Sequence, residues 1–160
     1  MFVHNYVQNS ERQGIGAQVR AARAGLGPWE SMPASCLADI GRRCGTAEIA
    51  EMIGILDDLS QEKDALPAWD GDSGDDIARA QAMYAGILGH VPSACRDAVA
   101  RGLGSRSPDT RRWLALALEA IGAAALTCLR AARDAEPDDH TRQFMTEVVG
   151  RLEATAVDAS

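Results

Sequence analysis

From residue 31 onward, apolar residues recur every three or four positions, and small or turn-forming residues break the pattern at regular intervals. That spacing is the period of one face of an α-helix, whereas a half-buried strand alternates every second residue. Over 33–44 the stripe is Cys36, Leu37, Ile40 and Cys44, and Gly45 closes it. Thr46 then reads as the cap of a helix carrying Ile49, Met52, Ile53 and Leu56 on its apolar face. Asp75 or Asp76 reads as the cap of a third helix, with Ala80, Met83, Tyr84, Ile87 and Leu88 inward and Gly89-His90 at its end. Pro92 and Ser93 open a fourth, with Cys95, Val99 and Leu103, ended by Gly104.

Ser107-Pro108-Asp109 combines a cap, a first-turn proline and a first-turn acid, which predicts a sharp helix start. That helix carries Trp113, Leu114, Ala117, Leu118 and Ile121 up to Gly122. A sixth helix spans 123–135, and Pro137-Asp138-Asp139 starts a last one through Phe144, Val148, Val149 and Leu152. The beginning of the chain is less regular. Ser10-Glu11-Arg12 opens a helix reading to Ala24, weakened by Gly14 and Gly16 and stopped by Gly25-Leu26-Gly27-Pro28. Short links between helices of about 12 residues make sequence neighbours antiparallel. The expectation is therefore an all-α single domain over 1–160. It comprises an N-terminal segment 1–28, pairs over 31–59, 75–104 and 107–135, a terminal helix 138–154, and an acidic insertion over 60–74.

Composition agrees with helix: Ala and Leu dominate the 46% apolar content and aromatics are 4%. Charge is more informative. The chain carries net −7, and all of it lies between Asp57 and Asp76, where eight acids face the single base Lys63. The rest is balanced. A phosphate-backbone partner needs a clustered basic surface, so nucleic acid is not the expected partner and a basic protein is. Cys36, Cys44, Cys95 and Cys128 fall within helical patterns and form no C-x-x-C pair, the pattern of reduced thiols in a cytoplasmic protein. No secretory signal is legible in residues 1–10, and no apolar run is long enough to span a bilayer.

Internal similarity is the most specific signal. Asp76-x-x-Arg79, Asp109-x-x-Arg112 and Asp139-x-x-Arg142 each open a helix, and Leu37-x-x-Ile40-Gly41, Ala85-x-x-Leu88-Gly89 and Leu118-x-x-Ile121-Gly122 echo one another at helix ends. This register resembles short HEAT repeats of the bilin-lyase type, best over 109–133 and extending over about 31–152. The resemblance implies an α-solenoid of three to four stacked pairs, in which Asp76, Arg79, Asp109, Arg112, Asp139 and Arg142 form a structural ladder between repeats. The first pair departs from it, having Glu30 and Pro33 where the Asp-x-x-Arg motif belongs. The second helices of the pairs would line a concave side carrying Arg96, Arg101, Arg130 and Arg133.

The candidate site is the acidic insertion. Trp69 would anchor a partner, and Glu62, Asp64, Asp70 and Asp72 would meet its basic surface. The alternative at the same place is a solvated linker whose Trp folds back. Asp70-Gly71-Asp72-Ser73-Gly74-Asp75 departs from a calcium loop, with Gly74 at the third ligand position and Gln81 at the closing one. His4, His90 and His140 lie too far apart in sequence to suggest zinc. No nucleophile has a base beside it. Cys44, near Arg42 and Arg43, is the nearest approach to a reactive thiol. The expectation is a non-catalytic bacterial protein-binding module without metal or cofactor, in the manner of an immunity or inhibitor protein. The alternatives are a small HEAT-like lyase or cofactor-handling protein with an inter-repeat pocket, and a homo-oligomeric assembly module exposing Trp29 or Phe144.

Overall fold

The computed structural model describes residues 14–24 and 32–159, with side chains over 14–19 and 32–159. Trp29, Glu30 and His4 therefore lie outside the described residues. Within them every element is helical: α1 (Ile15–Ala24), α2 (Ala34–Arg42), α3 (Thr46–Asp64), α4 (Gly71–Leu88), α5 (Arg96–Arg101), α6 (Pro108–Ile121), α7 (Leu126–Ala135) and α8 (Asp139–Asp158). Single 3₁₀ turns, Ser93–Cys95, Gly102–Gly104 and Ala123–Ala125, lead into or out of α5 and α7.

The starts of the helices follow local chemistry. Ser107 accepts the N–H of Thr110 at 3.2 Å and Asp138 that of Thr141 at 2.8 Å, so α6 and α8 begin where a side-chain oxygen can serve an unpaired donor. Two starts differ from expectation. The cap position of α3 is Gly45, whose N–H is bound by Glu48 at 2.9 Å. The cap of α4 is Asp70 rather than Asp75 or Asp76, its carboxylate accepting the N–H of Ser73 at 3.2 Å. The start of α1 is capped from a distance, because the Glu51 carboxylate accepts the N–H groups of both Ile15 (2.9 Å) and Gly16 (3.0 Å).

The segment expected as an insertion, 60–74, is mostly helix. α3 continues to Asp64, and only a six-residue turn, 65–70, separates it from α4. Local sequence hid this, because the residue that holds the end of α3 down is polar. Ser60 is fully buried and bonds residues of α4 and α6.

Packing joins alternate helices. α4 lies against α2, α3 and α6; α6 against α3, α4, α5 and α8; α7 against α8; and α1 and α5 each against α3. One core runs through all of them. Ile40, Ile49, Met52, Leu56, Ile87, Leu88, Val99, Leu114, Leu118, Leu129, Met145, Val148 and Val149 are buried in it. Each such Leu or Ile contributes roughly 2 kcal/mol of burial. The expected stripes supply it, with Cys36, Leu37, Ile53, Met83, Trp113 and Phe144 among the stripe residues that are only half-buried at its edge.

Two of the three repeated glycines at helix ends sit where a neighbouring helix comes close. A Cβ on Gly41 would lie 2.4 Å from the carbonyl oxygen of Ile87, and one on Gly89 would lie 2.7 Å from the Cβ of Ala120. Gly41 thus admits the end of α4 and Gly89 the end of α6. Gly122 has open space, but its φ of +103° is the backbone conformation that stops α6.

Candidate functional site

The turn 65–70 is built from both flanking helices. Ala65 bonds back to Gln61 to close α3, and Asp70 N–H bonds Pro67 O at 3.0 Å before its carboxylate caps α4. Trp69 stands between these fixed points with 84% of its surface exposed. Leu66, on the same turn, is half-buried. Glu62 and Asp64 come from the end of α3 and Asp72 from the start of α4, and all three are exposed. The structure thus brings Trp69, Glu62, Asp64, Asp70 and Asp72 to one end of the α3–α4 pair. None of the four carboxylates forms an ion pair with a described residue. Asp70 is committed to its helix cap. Residues 71–76 form the first turns of α4, so the Asp70–Asp75 run is helix rather than a ligand loop, and no group of three acid, His or Cys side chains among the described residues is set to hold a metal.

The Asp-x-x-Arg pairs each close on themselves. Asp76–Arg79 (3.0 Å), Asp109–Arg112 (3.3 Å) and Asp139–Arg142 (2.6 Å) are ion pairs within one helix, and the first and last are exposed. Asp109 alone also binds other helices. It accepts Gln81 Nε2 at 2.7 Å and Ser60 Oγ at 3.1 Å, and lies 3.5 Å from Lys63 Nζ. Arg112 reaches across to Thr141 Oγ1 at 3.1 Å. A buried polar seam of Ser60, Gln81, Thr110 and Thr141 therefore ties α3, α4, α6 and α8 around this one carboxylate. Burial pushes the Asp109 carboxyl up, but the bonds from Gln81, Ser60 and Arg112 and the charge of Lys63 outweigh it and hold it below the usual carboxylate range. Sequence reading finds Asp109 through its motif. It does not find Ser60, Gln81 or Thr141, because a lone polar residue in an amphipathic helix carries no sign of what faces it.

A second ion pair escapes sequence reading entirely. Arg111 and Glu136 are both buried and joined by two bonds, Nε–Oε2 at 2.7 Å and Nη2–Oε1 at 2.6 Å. The Arg111 guanidinium also donates to Ser105 O at 2.7 Å, and Glu136 accepts Asp138 N–H at 3.0 Å.

The remaining candidates are quickly placed. Cys44 is buried, donates to Ile40 O at 3.2 Å, and burial pushes its thiol up to about 11, far from a nucleophile's range. Arg96, Arg130 and Arg133 each have an acid partner (Asp97, Glu153 and Asp134), and Arg101 has none among the described residues. Phe144 is half-buried against the core. No helix among the described residues is long and apolar enough to cross a membrane. Set against known proteins, the chain matches no family, no curated protein and no solved structure.

Proposed function

We propose that this chain is a non-catalytic protein-binding module that engages a basic protein through the Trp69 turn. The observation that carries the reading is the exposed Trp69 at the tip of a turn ringed by unpaired carboxylates. A tryptophan left in water is unfavourable unless a partner covers it, and buried Trp anchors are among the residues on which interfaces most depend. Exposed carboxylates around such an anchor steer a cationic partner and reject an acidic one. The turn is held at both ends, so little order is lost on binding.

The contacts of α2 with α4, α4 with α6 and α6 with α8 support the finer architectural reading, a short HEAT-like stack of helix pairs with α8 as its terminal element. Such a stack presents surfaces rather than a reaction centre. Its size, acidity and exposed anchor suit an immunity or inhibitor protein that neutralises a cationic enzyme.

The test is a pull-down from the native host at low and high salt, with wild type and with Trp69→Ala/Asp64→Asn/Asp72→Asn. Asp70 is left intact because it caps α4. A basic protein retained by the wild type, and weakened roughly 30-fold or more by the variant, supports the reading. A partner held equally by both would sink it.

A further inference from the structure

An open cleft of about 710 Å³ lies at the other face of α6, between the turn Gly102–Gly104 and the ends of α7 and α8. Leu103, Pro108, Ala132, Ala135 and Pro137 give it an apolar part. Its size is that of a small-molecule site. Two acids and two cations also line it, Glu136, Asp138, Arg106 and Arg111.

Glu136 has little capacity left, whereas Asp138 spends one oxygen on a cap and keeps its charge. Glu136 holds Arg111 through both oxygens and accepts Asp138 N–H as well. The two cations keep spare donors. Arg106 is exposed and has no partner among the described residues. Arg111 is buried, yet a guanidinium has five N–H donors, and only three are engaged, two by Glu136 and one by Ser105 O. One N–H on each terminal nitrogen is left over. Pro108 and Arg111 from the first turns of α6 and Asp138, the cap before α8, line the cleft too, at helix ends that carry partial positive charge. Spare guanidinium donors on Arg106 and Arg111 thus stand among apolar residues, with the Asp138 carboxylate at the α8 end.

We propose that this cleft binds a small molecule with a carboxylate on an apolar body. The carboxylate would take the Arg106 guanidinium and the spare donors of Arg111, and the body would lie along Leu103, Ala132 and Ala135. The site is independent of the Trp69 turn and makes no use of a thiol or metal.

The probes are octanoate and its uncharged match 1-octanol, titrated into ¹⁵N-labelled full chain and read by amide shifts. Octanoate is expected to give saturable shifts at Gly104, Ser105, Ala132 and Ala135, with 1-octanol at least about tenfold weaker, the size of one charge-assisted bond. Arg106→Gln is expected to weaken octanoate about tenfold and leave 1-octanol unchanged. Ala132→Leu, which fills the wall, is expected to abolish both while circular dichroism stays native. Non-saturable or scattered shifts, equal binding of the two probes, or an Arg106→Gln variant that binds octanoate like wild type would each overturn the proposal.

Discussion

Asp109 is where the electrostatics of this protein concentrate. Its carboxylate is largely shielded, with 15% of the side chain exposed, and holds four polar partners from three helices. Asp109→Asn is expected to cost about 2 kcal/mol, because charge-assisted bonds become neutral ones and Lys63 loses its counter-charge. The folded-state pKa is depressed, so this stabilisation is complete above the usual carboxylate range near 3.8 and is lost as pH falls through the lower folded value. The difference between wild type and variant in urea unfolding should shrink as pH drops below that range. A difference constant with pH would show that the charge is not the source. The Arg111–Glu136 pair is tested by breaking one partner and by replacing both. Glu136→Gln alone should cost about 3 kcal/mol, whereas Arg111→Met with Glu136→Leu should recover most of it, because a buried pair is destabilised chiefly by leaving one charge unpaired. At Cys44, with its thiol pushed up to about 11, alkylation at neutral pH should proceed only on unfolding. Rapid native-state labelling would revive a reactive-thiol reading.

At the scale of elements, the glycines that end the helices act by two different mechanisms. Gly41→Ala places a methyl 2.4 Å from the Ile87 carbonyl oxygen, a backbone atom that moves only with α4. The expected cost is about 3 kcal/mol, with the α2–α4 contact loosened. Gly122→Ala meets no neighbour but forces a side chain into φ +103°, for roughly 1–2 kcal/mol and no loosening. Thermal unfolding separates the sizes, and hydrogen exchange in α2 separates the causes. Exchange in α2 that is unchanged by Gly41→Ala would contradict the close-approach account. The stripe pattern made these helices legible, and the repeated glycine marked their ends. It did not say that two of the three glycines are there for a neighbouring helix, Gly41 against a backbone carbonyl and Gly89 against the Cβ of Ala120.

At the scale of the whole molecule, net charge and the Trp69 turn work together. The segment 57–76 carries the whole net charge of an otherwise balanced chain, and Glu62, Asp64, Asp70 and Asp72 from it stand at the α3–α4 end. Partner association should therefore slow as salt rises, while the loss from Trp69→Ala should persist at high salt, since desolvation of an indole is not screened. Stopped-flow association at two ionic strengths measures both. Trp69→Ala should leave the melting temperature nearly unchanged, because the side chain is exposed and packs against nothing that supports the fold. A large drop would make Trp69 a structural residue.

Helicity of the described chain, the starts of α2, α6 and α8 and the main buried stripes were legible in the sequence, whereas the end of α3, the start of α4 and the end of α8, which runs to Asp158 rather than 154, were not. Period, caps and glycines are local signals, and local chemistry suffices to form them. The sequence also put Trp69 and its carboxylates on one segment. How that segment is held depends on packing: α3 runs on to Asp64 because Ser60 is buried against α4 and α6, so the expected 15-residue insertion is a six-residue turn. Tertiary structure likewise decided that of three similar Asp-x-x-Arg pairs only Asp109 joins several helices. The pairing of Arg111 with Glu136, 25 residues apart, was decided there too. Such choices depend on which polar groups lose water together, and that is a property of packed surfaces rather than of neighbours in the chain.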